Sequence, residues 1–194
     1  MKSLKNRILN CTKCDLYKTR NNPIFGEGNI HAPIFIIGEA PGREEDLAGR
    51  PFIGKSGQLL DKILAACNFN RNDHVFISNI VRCRPPENHV PTSHEAEICK
   101  PYLLEQIELV NPKILVLLGS TALKYMAGAD HRITKERGTW LKIYGRLAMP
   151  VYHPAALLRD PSLKRDTWED FKKIFYTYHE LVNPEHLSQH INIG

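Results

Sequence analysis

The sequence predicts an α/β fold, a three-layer α/β/α sandwich around a mainly parallel four-stranded sheet. Four short apolar runs lack polar alternation, which is how strands covered on both faces read. Helical apolar spacing fills the intervals between them, and strands alternating with helices build a parallel sheet through right-handed crossovers. At 194 residues, 42% hydrophobic and 24% charged, the composition is that of a folded chain rather than a disordered or fibrous one.

The expected strands are Pro33–Gly38 (PIFIIG), His74–Val81 (HVFISNIV), Ile114–Gly119 (ILVLLG) and Ala148–Tyr152 (AMPVY). Helices are expected over Gly57–Cys67, Ser93–Val110, Ser120–Met126 and Asp166–Leu181. No repeat or Gly/Ser linker divides the chain, so residues 1–194 read as a single domain, with a short tail over 183–194. The longest aliphatic run, Ile114 to Leu118, is far short of the roughly 20 residues of a membrane span, and no secretory signal is legible, so a cytoplasmic location is expected.

In a parallel sheet the ligand crevice lies beyond the carboxyl ends of the strands, so the residues just after each strand matter most. The first exit is Gly38-Glu39-Ala40-Pro41-Gly42, a tight turn whose backbone donors come from around Glu39 and Ala40. Glu44, Glu45 and Asp46 after it read as solvated acids of a helix start. The second strand delivers Asn79, whose amide offers donor and acceptor together, although an Asn there also suits a turn. The third exit, Gly119-Ser120-Thr121, reads equally as a phosphate-holding helix start or a plain cap. The fourth is His153-Pro154-Ala155-Ala156-Leu157-Leu158-Arg159: an imidazole, a small apolar wedge and a closing cation.

Net charge is +5, compatible with a polyanionic partner; Arg82, Arg84, Lys100, Arg132, Lys135 and Arg137 lie in or beside expected loops and helix starts, where they suit phosphates. Of five cysteines, Cys11 and Cys14 form a C-x-x-C pair, and Cys83 and Cys99 flank a Pro-containing loop. Four such thiols suit zinc or an iron–sulfur cluster, whereas Cys67, on an apolar helical pattern, reads as a core thiol. No G-x-x-x-x-G-K-[ST] or G-x-G-x-x-G loop is present, which weighs against a zinc-stapled nucleotide-binding protein.

Taken together, GEAPGREED, GRPFIGKSGQLLD, SNIVRCRPPEN, Cys99, LLGSTA and YHPAALLR, in this order from Cys11 to about Tyr178, resemble the family 4, iron–sulfur uracil-DNA glycosylases. The resemblance implies a DNA repair hydrolase that flips uracil out and cleaves its N-glycosidic bond, leaving an abasic site. It implies Cys11, Cys14, Cys83 and Cys99 as ligands of a [4Fe-4S] cluster, with residues 1 to about 20 as a cluster-binding segment. Phe52 would stack on the base and Asn79 would read its imide edge. His153 and the Glu39 and Ala40 backbone would face O2, and Ser120, Leu157 and Arg159 would contact DNA.

Glu39, Ala40 and His153 are thus the expected catalytic positions, and Ala40 stands where the best-known branch of the superfamily has an Asp. His89 and His94 carry no KRRIH-like insertion, so a monofunctional enzyme is expected and neither His is assigned a catalytic role. Expected partners are single- or double-stranded uracil-containing DNA, with nucleoid association through it, and a sliding clamp as a candidate; the protein is expected to be a monomer. The competing readings are a glycosylase for another deaminated base and a non-catalytic iron–sulfur DNA-binding accessory protein.

Overall fold

β-branched and aromatic residues dominate the apolar runs, and each forms a strand whose two faces are both covered. The structure, a computed structural model, describes residues 1–193; Gly194, the last residue of the expected tail, lies outside the described residues. The strands are β1 (Glu27–Gly28), β2 (Ile34–Gly38), β3 (Val75–Asn79), β4 (Ile114–Leu118), β5 (Leu141–Ile143) and β6 (Arg146–Val151). Their order in the sheet is β1-β3-β2-β4-β6-β5. The inner four are parallel, as expected; the short β1 and β5 add antiparallel edges, so the sheet has six strands among the described residues rather than four. Both edges are too short for an alternation signal.

The helices are α1 (Lys2–Leu9), α2 (Arg43–Ala48), α3 (Lys55–Ala66), α4 (Ser93–Val110), α5 (Gly119–Ala127), α6 (Ile133–Glu136), α7 (Pro154–Arg159) and α8 (Leu163–Leu181). α4 coincides with its expected span because Thr92 and Glu95 close a reciprocal capping box and Asn111 ends the helix at φ 51°. The period-2 geometry of the strands sorts the core into two layers. Phe35, Ile37, Phe76, Leu115 and Leu117 face α1, α4 and α5. Ile34, Ile36, Ile77, Val116 and Met149 face α3 and α8. The tail folds back: Ile191 is buried, the His186 ring stacks on Phe69 at 5.0 Å and 13°, and Ser188 donates to the Ala66 carbonyl.

The chain leaves β2 toward α3 on one face and leaves β4 into α5 on the other, so a switch point opens between the ends of β2 and β4. Gly38 pairs with Asn79 at one shared edge, and Leu118 and Val151 pair at the same end. No helix among the described residues is long and apolar enough to cross a membrane. Leu117→Ala, at a fully buried central position, is expected to lower stability by about 3 kcal/mol in urea unfolding.

Candidate functional site

Beyond the carboxyl ends of β2, β3 and β6 lies a cleft of about 500 Å³, lined by Glu39, Ala40, Phe52, Asn79, His153 and Arg159 among others. Six of the positions read from sequence thus meet in one place. Ser120, expected to contact DNA, is exposed at the start of α5 and does not line the cleft. Leu157, expected at the DNA-contacting surface, is turned inward by α7 and is only 1% exposed, while the next residue, Leu158, is 45% exposed. One helical step of about 100° separates the two, and sequence does not set the phase of so short a helix.

Phe52 reaches the cleft on a backbone few side chains adopt, φ 51°. The turn is held from both sides. Arg71 donates to the Phe52 carbonyl at 2.9 Å and to the Pro51 carbonyl, and pairs with Asp61 and Glu27. Glu45 accepts the Ile53 N–H at 3.0 Å and the Gly54 N–H at 2.8 Å, and with its other oxygen the Gly42 N–H at 3.1 Å. The Phe52 ring then lies 5.7 Å from that of His153. A Cβ on Gly38 would sit 2.4 Å from the Phe52 ring and 2.5 Å from Asn79 Oδ1, so only glycine fits there.

Glu45 and Asp46 therefore correct the reading of solvated helix-start acids. Asp46 is 1% exposed and accepts from the Asn21 and Asn22 N–H groups and the Asn21 amide, tying the N-terminal segment to α2. The legible signal for Glu45 is its spacing: a glutamate three residues into a helix reaches back to the N-cap N–H. Arg82 and Arg137 are corrected too. Arg137 forms a two-point pair with the buried Asp170, and Arg82 is itself 2% exposed.

His153 caps α7, its Nδ1 accepting the Ala155 N–H at 3.1 Å. Enclosure on all but its cleft-facing side, and then the charge of Arg159, push its pKa down to about 4 against a smaller opposing pull from Glu45. The ring is thus neutral at pH 7, and with Nδ1 used as acceptor its proton sits on Nε2. Glu39 is half-buried, and its carboxylate accepts from the Thr121 hydroxyl across the switch point. Asn79 is 2% exposed, and its Oδ1 has no hydrogen-bond partner among the described residues. The loop after β3 supplies another wall through Pro85, Asn88 and His89; sequence gives His89 no role, yet it stands at the cleft.

Cys11, Cys14, Cys83 and Cys99 line a second cavity with Arg20, Arg82 and Tyr102, while Cys67 lies apart in the core of the opposite face. All five cysteines are free. Arg20 donates to Cys83 Sγ at 3.0 Å, and burial pushes the Cys99 thiol up to about 11. No three His, Cys, Asp or Glu side chains among the described residues are grouped for a single metal ion.

Two measurements check this geometry. In a crystal structure of Gly38→Ala, the Phe52 ring or the Asn79 amide is expected to move; an unshifted pair would contradict the close packing. Titration of the His153 imidazole followed by NMR is expected near pH 4. Because the folded state resists a proton that the unfolded chain accepts, this group's contribution to stability is complete above about pH 6.5 and declines as pH falls toward 4.

Residues 25–172 match the model of the uracil DNA glycosylase superfamily. A type-4 uracil-DNA glycosylase of Thermotoga maritima is 44% identical over 179 residues, covering 89% of this chain and 92% of the relative. One from Sulfurisphaera tokodaii is 42% identical over 90% of this chain and 83% of its own length. A type-5 uracil-DNA glycosylase of Pyrobaculum aerophilum is more distant, 26% identical over 78% of this chain and 81% of its length. With the GEAPG turn, Asn79 and the YHPAALLR segment around one cleft, and this similarity across most of its length, the chain belongs to the uracil-DNA glycosylase superfamily, in its type-4 branch.

Proposed function

We propose that this protein excises uracil from DNA by hydrolysing the N-glycosidic bond, leaving an abasic site for repair, and that the cleft at the strand ends receives the flipped base. The observation that carries this is the buried, unpartnered Oδ1 of Asn79. A buried acceptor without a donor costs about 1–3 kcal/mol, and the N3–H of uracil supplies that donor. The same amide's NH₂ meets uracil O4. Cytosine, with an amino group at position 4 and an unprotonated N3, opposes both atoms. Phe52 gives the base a face to stack on.

Breaking the bond between C1′ and N1 moves an electron pair onto the base, and the negative charge collects at O2 and O4. A neutral His153 with its proton on Nε2 donates to O2, joined by the Glu39 and Ala40 backbone; this stabilises the departing anion without passing a proton to it. Water adds to C1′ and its proton leaves to solvent. Ala40 carries no group to orient that water, so the role falls to the Glu39 carboxylate, whose direction the Thr121 hydroxyl fixes. Arg159 at the cleft, Ser120 on α5 and Leu158 on the exposed side of α7 are the groups that would contact the DNA around the base.

The four-cysteine cavity fits a [4Fe-4S] cluster. A cluster held by four thiolates is a net anion, and two guanidinium groups face this cavity, Arg20 and the buried Arg82, whose Nε has no partner among the described residues. When bound, the cluster would supply structure, joining the segment after α1, the loop after β3 and α4.

An oligonucleotide bearing one uracil is expected to break at that position after incubation with the protein and alkali; an intact strand would overturn the function. His153→Ala is expected to lower kcat/KM by about 10²–10³-fold, as loss of one donor to a developing anion does elsewhere. For the cofactor, a brown protein whose visible absorbance disappears in Cys83→Ala is expected. A colourless preparation holding zinc would refute the cluster and leave the glycosylase reading standing.

A further inference from the structure

Between the two cavities sits a buried cation whose acceptors are all neutral. Arg82, three residues past β3, is 2% exposed. Its guanidinium donates to the Ser78 hydroxyl, to the Asn79 carbonyl at 2.9 Å and to the Gln106 side-chain oxygen at 2.5 Å. None of these is a carboxylate. Gln106 in turn accepts from the Ser78 hydroxyl at 3.1 Å and donates to the Phe25 carbonyl at 2.7 Å, so the network joins β3, α4 and the N-terminal segment. The remaining nitrogen, Nε, has no partner among the described residues, and the side chain lines the cavity of Cys11, Cys14, Cys83 and Cys99. An uncompensated buried charge is among the costliest features a fold can carry.

We infer that Arg82 is a positioning residue with two tasks: it is the buried counter-charge of the anionic group held by the four cysteines, and it fixes the backbone of Asn79 and hence the amide that reads the base. This rests on the cluster and uracil readings above. The two sites are then not independent. The charge that makes Arg82 tolerable in the core comes from the cluster cavity, while the hydrogen bonds that arrange Asn79 come from the same guanidinium fork. A cluster lost or damaged leaves a bare cation close to the base-reading side chain, so loss of iron disturbs recognition as well as stability. Lysine cannot replace the fork, since one ammonium does not match the planar spread of three acceptors on two elements.

The test uses the purified full chain with Arg82→Lys and Arg82→Met, measuring iron content, the reduction potential of the cluster by EPR-monitored titration, and inhibition of oligonucleotide cleavage by free uracil. Arg82→Lys keeps the charge, so iron and potential are expected to stay at wild-type values. The uracil inhibition constant is expected to rise about tenfold, the scale of a lost hydrogen bond to a charged group. Arg82→Met removes the charge, and reduction, which adds negative charge, becomes harder: the potential is expected to shift negative, or iron to fall below half of wild type. An iron-replete Arg82→Met with wild-type potential overturns the counter-charge. Wild-type uracil inhibition in iron-replete Arg82→Lys overturns the positioning role, and this arm stands even where Arg82→Met does not fold. An iron-free wild-type protein overturns the cluster reading itself, and an inactive wild-type protein the uracil reading; both are distinct from either result.

Discussion

The parallel ladder centred on β2 is the constraint on which the other features depend. With β3 on one side and β4 on the other, paired in register, three chain exits open at one edge and the connecting helices are driven to opposite faces. Both faces must then be apolar, which accounts for the unbroken runs such as Ile34–Ile37 and Ile114–Leu118. The carboxyl edge is left for polar work. Gly38, Asn79 and Glu39 gather there because the register leaves them nowhere else.

Holding functional groups at such an edge has a conformational cost, and the fold meets it with opposite charges placed around one turn. Phe52 sits in the left-handed region while Arg71 collects its carbonyl and that of Pro51, and Glu45 the two N–H groups after it. Glu45 also grips the first strand exit through Gly42, so one carboxylate holds both the turn that carries Phe52 and the GEAPG turn. Preorganisation of this kind suits a reaction whose catalysis is electrostatic, because donors already in place need no rearrangement as charge develops.

Three buried polar side-chain atoms have no partner among the described residues: Arg146 Nε, away from both cavities, and Asn79 Oδ1 and Arg82 Nε, in residues that line the cleft and the cysteine cavity. Asn79 ends β3 and Arg82 follows three residues later, the two linked by a hydrogen bond from Arg82 to the Asn79 carbonyl. Buried polar groups in a folded chain are normally satisfied, so two of the three exceptions falling this close together, in residues that line cavities, are informative.

Much of this was legible in the sequence. Composition and unbroken apolar runs pointed to the α/β class, apolar residues at helical spacing placed a helix over Ser93–Val110, and the residues after each strand pointed to Glu39, Asn79 and His153, because a parallel sheet obliges its strands to end on one side. Cys11, Cys14, Cys83 and Cys99 were legible as a set from chemistry, since four polar-flanked thiols in one chain suit a metal group. The features that sequence could not supply depend on contacts between residues far apart along the chain. Burial turned Asp46 and Arg82 from surface charges into internal ones, helical phase exchanged Leu157 for Leu158 at the surface, and the neutral tautomer of His153 comes from its cap on α7 and its enclosure. The sequence determined which chemical groups this protein carries and on which edge of a sheet they arrive; the tertiary structure alone decided their charge states, their orientations and which polar atoms remain unpaired, because those properties are set by the neighbours that folding brings together.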